Sequence, residues 1–236
     1  MAKSHTDRSY ESQLKALREG LLLTAGRVEQ MISDAVRGVV ERDAQLARLV
    51  IDRDAQINRA EIEIDDLCLQ ILARRQPMAS DLRFITLSLK MVTDLERIGD
   101  LAVNIAERAI DLADEPPLTA LEDISLMGEK VRLLVRQAVD AFVEGDVEQA
   151  EAVVDGDDDI DSLYIQVFRD MLRRMTADPD AIERGIHLQS IAKWLERMGD
   201  HAENLAEQVI FMIKGKDVRH LGRRGRAALV PPQSAT

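Results

Sequence analysis

The chain has 236 residues with 43 acidic against 31 basic side chains, and its net charge of -12 argues against a nucleic-acid binder, which needs clustered Lys and Arg against phosphate. With 46% apolar, 31% charged and only 3% aromatic residues it is rich in helix formers, which predicts an all-α protein. A single cysteine, Cys68, excludes an internal disulfide; no run of eighteen apolar residues and no apolar signal core near Met1 are present, so a cytoplasmic protein is expected.

Leu14, Leu17, Leu21, Ala25, Val28 and Ile32 recur at spacings of three and four, which predicts a first helix over residues 9–41. A second is expected over 44–75, ending before Pro77, because the residue preceding proline is pushed out of the α region. It carries Cys68 on its apolar stripe, as a small core residue. The third is placed over 80–113, with Ser80 as N-cap. Glu115-Pro116-Pro117 then breaks the chain, since consecutive prolines remove two backbone donors. Helices follow over 119–144, closed by Gly145 as C-cap, over 146–175, and over 178–214 with Pro179 at the first helical position. Short connections between long helices mean antiparallel neighbours, hence two tandem homologous antiparallel three-helix bundles. The expected units are 1–115 and 116–216, with a basic flexible tail over 217–236.

The two units are copies. Leu95-Glu96-Arg97-Ile98-Gly99-Asp100-Leu101-Ala102-Val103-Asn104-Ile105-Ala106-Glu107 returns as Leu195-Glu196-Arg197-Met198-Gly199-Asp200-His201-Ala202-Glu203-Asn204-Leu205-Ala206-Glu207, identical at nine of thirteen positions and offset by 100. Residues 35–57 align on 138–160 at an offset of 103, with Asp43/Asp146, Asp54/Asp157 and Ile57/Ile160 among the identical pairs. A period near 100 residues is a fused domain duplication, far longer than a solenoid repeat.

Polar positions recur with the apolar ones. Glu96, Asp100, Asn104 and Glu107, like Glu196, Asp200, Asn204 and Glu207, fall within about 80° of helix arc. Asp54, Asn58, Glu61 and Asp65 span about 60° on the second helix, and Asp157 and Asp161 stand at the matching places on the fifth. Facing carboxylate ladders repel unless a cation relieves them, and carboxylates with amide oxygens are the ligands of hard or borderline cations. The bland alternative is a solvated helix face. Gly99 and Gly199, each costing about 1 kcal/mol inside a helix, imply either a close helix crossing or room beside the aspartates. His201 is a candidate ligand for one site only, because the first copy has Leu101 there, and Trp194 reads as a packing residue. There is no P-loop, no Gly-x-Ser-x-Gly, no His-Glu-x-x-His and no Glu-x-x-His.

The duplicated Leu-Glu-Arg-x-Gly-Asp motif, Arg74-Arg75-Gln76-Pro77-Met78-Ala79-Ser80-Asp81, and Lys214-Gly215-Lys216-Asp217-Val218-Arg219-His220 together resemble the PhoU family, the phosphate-transport accessory regulators of bacteria. The resemblance runs from about residue 10 to 221. It implies a six-helix fold, often dimeric, without catalysis. It also implies metal ions (iron, zinc or manganese) held by Glu96 and Asp100, Glu196 and Asp200, Asp157 and Asp161, and Asp54 with Glu61. Asn58 departs from the pattern, leaving the first site one charge poorer. The implied partners are the ATPase subunit of the phosphate ABC transporter and the phosphate-sensing histidine kinase, with negative regulation of phosphate-starvation genes. Two other readings stand beside it: a carboxylate-bridged metal hydrolase, and a helical interaction scaffold without metal. Arg74, Arg75 and Arg83 read as a solvated basic turn rather than a phosphate contact.

Overall fold

The computed structural model describes residues 8–116 and 121–214. Six helices make up nearly all of it: α1 (Arg8–Val40), α2 (Ala44–Arg74), α3 (Ala79–Leu112), α4 (Leu121–Glu144), α5 (Val147–Ala177) and α6 (Ile182–Lys214), with a 3-10 turn, Pro179–Ala181, ahead of α6. The basic tail and the expected start of the fourth helix lie outside the described residues.

Within each repeat the three helices pack on one another, α1 with α2 and α3, and α4 with α5 and α6. The repeats also meet directly, α1 against α4 and α3 against α6, so these four helices form the centre and α2 and α5 flank it. One apolar core runs through both repeats, from Leu17, Leu21 and Met31 to Phe142, Ile191 and Leu205. Across the repeat boundary the rings of Phe84 and Phe142 stack, with centroids 4.9 Å apart. On α4, Gly128 lets α1 approach: a first side-chain carbon there would stand 2.7 Å from Val36 Cγ2.

The corner between first and second helix is built twice on one plan. Asp43 caps α2 by accepting from the backbone N–H groups of Gln45 and Leu46, and Asp146 caps α5 by accepting from Gln149. Each is preceded by a residue in the left-handed region, Arg42 at φ 58° and Gly145 at φ 72°. The Asp43 N–H then reaches back to Gly38 O, and that of Asp146 to Ala141 O, which closes the helix ends as Schellman turns.

Two boundaries differ from expectation. Ser80 is not the cap of α3: Met78 holds that place in extended backbone, with no side-chain cap hydrogen bond. The helix starts at Ala79, which puts Ser80 inside the first turn. Ahead of α6, Asp178 does cap and Pro179 does follow it, but the segment they open is the 3-10 turn.

Candidate functional site: two carboxylate clefts

Each outer helix sets its acidic stripe against that of the third helix of its repeat. In the second repeat α5 carries Asp157 and Asp161, and α6 carries Glu196 and Asp200. Asp157 is only 8% exposed, and its Oδ1 has no hydrogen-bond partner among the described residues. Burial first, then the negative charges of Glu203, Asp161, Asp200 and Glu196, push its carboxyl up to about 7. Asp161 and Asp200 are raised in the same way, by burial and then by Glu196. Asp157, Asp161, Glu196 and Asp200 thus act on one another electrostatically.

Gly199 explains how Asp157 is accommodated. A first side-chain carbon at 199 would lie 2.5 Å from Asp157 Oδ1 and 3.1 Å from Ile160 Cδ1, so the glycine leaves the space that the carboxylate fills. Gly99 is not equivalent: the same carbon there meets Ile57 at 3.5 Å, an ordinary contact. Room beside an aspartate therefore explains Gly199, though that aspartate comes from the neighbouring helix, whereas at Gly99 a methyl group would fit and neither explanation is required.

In the first repeat α2 carries Asp54 and Glu61, and α3 carries Glu96 and Asp100. Burial, then Asp100, raises Glu96, with Glu61 and Asp54 adding to the rise and Arg97 opposing it. Asp54 is raised chiefly by burial, against the pull of Asn58, whose Nδ2 donates to Asp54 Oδ2 at 2.8 Å. The neutral Asn58 thus satisfies one aspartate oxygen where Asp161 in the second repeat adds charge. Arg97 lies 3.6 Å from Glu96 and 3.5 Å from Asp100 at the rim.

Two further differences between the clefts were not legible as site features in the stripes. Thr93 donates to Glu61 Oε1 at 3.2 Å in the first repeat. At the corresponding places of the second stand Lys193, hydrogen-bonded to Glu196, and Tyr164, whose ring centroid lies 5.3 Å from the Lys193 ammonium. The signal was available, since 93/193 and 61/164 are aligned pairs in which the duplication fails.

The rest of each stripe diverges. Glu107 is exposed, whereas Glu207 is buried at 7% exposure. His201 pairs across the boundary between repeats, its Nδ1 sitting 2.9 Å from Asp94 Oδ1 on α3. Cys68 is fully buried and its thiol is pushed up to about 12, chiefly by burial, which makes it inert. Trp194 packs against the core, and Arg75 donates to Ser9 Oγ.

The oxygens available to a cation are those of Asp54, Glu61, Glu96 and Asp100 in one cleft and of Asp157, Asp161, Glu196 and Asp200 in the other. The set is all oxygen, crowded, and short of hydrogen-bond donors at Asp54 Oδ1 and Asp157 Oδ1, which fits a hard or borderline cation. The side chains face one another without converging: among the described residues no three His, Cys, Asp or Glu close on a single point as metal ligands.

Six helices among the described residues, arranged as two copies with one acidic cleft each, define a class of internally repeated helical proteins. The PhoU domain matches the chain twice, at residues 21–109 and 124–209, and the chain belongs to the PhoU family. The phosphate-specific transport system accessory protein PhoU homolog of Pseudomonas putida is 42% identical over 228 residues, covering 96% of this chain and 89% of that protein. The crystal structure of PhoU from Pseudomonas aeruginosa superposes with a TM-score of 0.85 at 40% identity, covering 88% of this chain and all of that one. The phosphate transport system regulatory protein PhoU from Streptococcus pneumoniae gives 0.81 at 26% identity, covering 89% and 99%. These are the names of accessory and regulatory proteins rather than of enzymes.

Proposed function

We propose that this protein is a non-catalytic accessory and negative regulator of phosphate transport. In this reading it relays phosphate sufficiency between the ATPase subunit of a phosphate ABC transporter and a phosphate-sensing histidine kinase, from the cytoplasm and as a homodimer. Membership of the PhoU family carries the reading, together with relatives named as phosphate-specific transport accessory proteins. No helix among the described residues is long and apolar enough to cross a membrane, which suits a protein that reaches the membrane through partners.

Iron, zinc or manganese ions brace the carboxylate clefts in this account. A bound cation supplies positive charge where burial and mutual repulsion hold the acids above their ordinary range. The buried, unpartnered Asp157 oxygen is the observation that supports it. The chain's own residues hold the cation between α5 and α6, or α2 and α3, and so stiffen each outer helix against the centre. Deleting the gene is expected to switch on phosphate-starvation genes in phosphate-rich medium; unchanged expression and unchanged phosphate uptake would refute the regulatory role. Elemental analysis of protein purified without chelator tests the cations: metal present, and lost in an Asp100→Ala/Asp200→Ala variant, is the expected result. The open arrangement of the carboxylates favours one competing account, a metal-free docking scaffold, and equal, negligible metal in both proteins would establish it.

A further inference from the structure

The two clefts are not interchangeable, and the difference lies in what already neutralises them. The first holds four carboxylates, with the neutral Asn58 and Thr93 hydrogen-bonded to Asp54 and Glu61, and its nearby cation, Arg97, reaches Glu96 and Asp100 of its own helix from the rim at 3.6 and 3.5 Å. The second holds four carboxylates and the added field of Glu203, and it also contains an ammonium group of its own. Lys193 Nζ donates to Glu196 Oε2, lies 5.3 Å from the centre of the Tyr164 ring, and feels the charge of Asp200. Its partners come from both helices of the cleft, Tyr164 from α5 and Glu196 and Asp200 from α6. An i,i+3 surface pair would need only one. Tyr164 stands where the first repeat has Glu61, and Lys193 where it has Thr93, so an acid with a hydroxyl has been exchanged for an aromatic ring with a cation. The face of a tyrosine ring attracts an ammonium, and the exchange therefore gives Lys193 a seat. Deeper in the same cleft Asp157, 8% exposed, keeps an oxygen that Lys193 does not satisfy.

We propose that Lys193 is the resident counter-cation of the α5/α6 cleft, and that a divalent cation enters there only by displacing it, so that the two repeats bind the same metal with different affinity. The inference rests on the cation-bracing reading above. A lysine suits the role: its charge is a compact point on a flexible four-carbon stem, able to swing to solvent when a doubly charged ion takes its oxygens. At the separation of neighbouring charges in a partly buried site, an ammonium opposes an entering cation strongly enough to change affinity by roughly tenfold or more.

The test uses Mn2+ as the probe and the full chain, with the first cleft silenced by Glu96→Gln and Asp100→Asn. Titration calorimetry and the electron paramagnetic resonance of bound Mn2+ are compared with and without Lys193→Met, which keeps an apolar stem over Tyr164. The expected result is an affinity for Mn2+ tighter by roughly tenfold or more in the methionine variant. The reciprocal change, Thr93→Lys in a chain whose second cleft is silenced by Asp157→Asn and Asp200→Asn, is expected to weaken the first. Mn2+ bound equally well, or less well, by a Lys193→Met protein whose circular dichroism melt is intact overturns the Lys193 inference alone. If neither protein binds Mn2+, Zn2+ or Fe2+, the cation reading falls and this inference with it.

Discussion

At position 199 the space for a side chain is already taken by the Asp157 carboxylate, whereas position 99 faces only Ile57. Gly199→Ala therefore forces a buried acid to move, and is expected to lower stability by about 1–2 kcal/mol in spite of alanine's better helix propensity. Gly99→Ala meets an ordinary contact and is expected to be neutral or stabilising by up to about 1 kcal/mol. Chemical denaturation of the two variants checks both, and equal effects would contradict the asymmetry. Asp157 also sets a pH dependence. Its carboxyl is raised from 3.8 to about 7, so the folded metal-free protein holds a proton there that the unfolded chain has released. Stability is then present at low pH and lost as pH rises through the interval up to about 7. Asp157→Asn, measured without metal at pH 8, is expected to be more stable than the parent by about 1–3 kcal/mol, with a flatter melting-temperature profile. The stripes themselves were legible in the chain because the duplication repeats Glu, Gly and Asp where a core needs none of them. The burial of Asp157 was not, since it depends on a glycine 42 positions away on another helix. The Asp94–His201 pair was hidden for the same reason: it spans the boundary between repeats, which no periodicity within a helix encodes.

Helix boundaries followed from apolar spacing, prolines and caps, and the structure places them within a few residues of those signals. Ser80 misled because a serine before an apolar run is a capping signal only if the backbone there is extended, and the extended residue is Met78, two positions earlier. More informative is the left-handed corner. Gly145 adopts φ 72° without steric cost, while Arg42 holds φ 58° at the equivalent place in the first repeat. Arg42 Nη2 donates to Ala113 O at 2.7 Å and also to Glu115 O, tying the end of α3 to the α1/α2 corner. Gly145→Ala is expected to cost about 1 kcal/mol. Arg42→Ala loses the tie and keeps the strain, so it should destabilise more than Arg42→Gly, which loses the tie but relieves the strain; thermal melts that rank the two the other way would remove this account.

The repeats share a core, and the contacts of α1 with α4 and of α3 with α6 are as much a part of it as those within a repeat. Neither half covers its apolar surface alone. The full chain is expected to unfold in one transition, and separately expressed halves, split in the 113–120 connection, to be unfolded or aggregated singly and to regain helical structure when mixed. A half that melts cooperatively by itself would contradict the shared core. Because α1 and α4 are the same element of two copies, as are α3 and α6, each of these contacts joins a surface to its own duplicate. That is the geometry of a two-fold dimer, here made covalent by the connection between α3 and α4. A true dimer of identical halves would present the same cleft twice and could not tell one side from the other. Fusion removes that constraint: Lys193 and Tyr164 are free to differ from Thr93 and Glu61, and the molecule acquires a direction, with a left hand and a right hand that a single partner can distinguish.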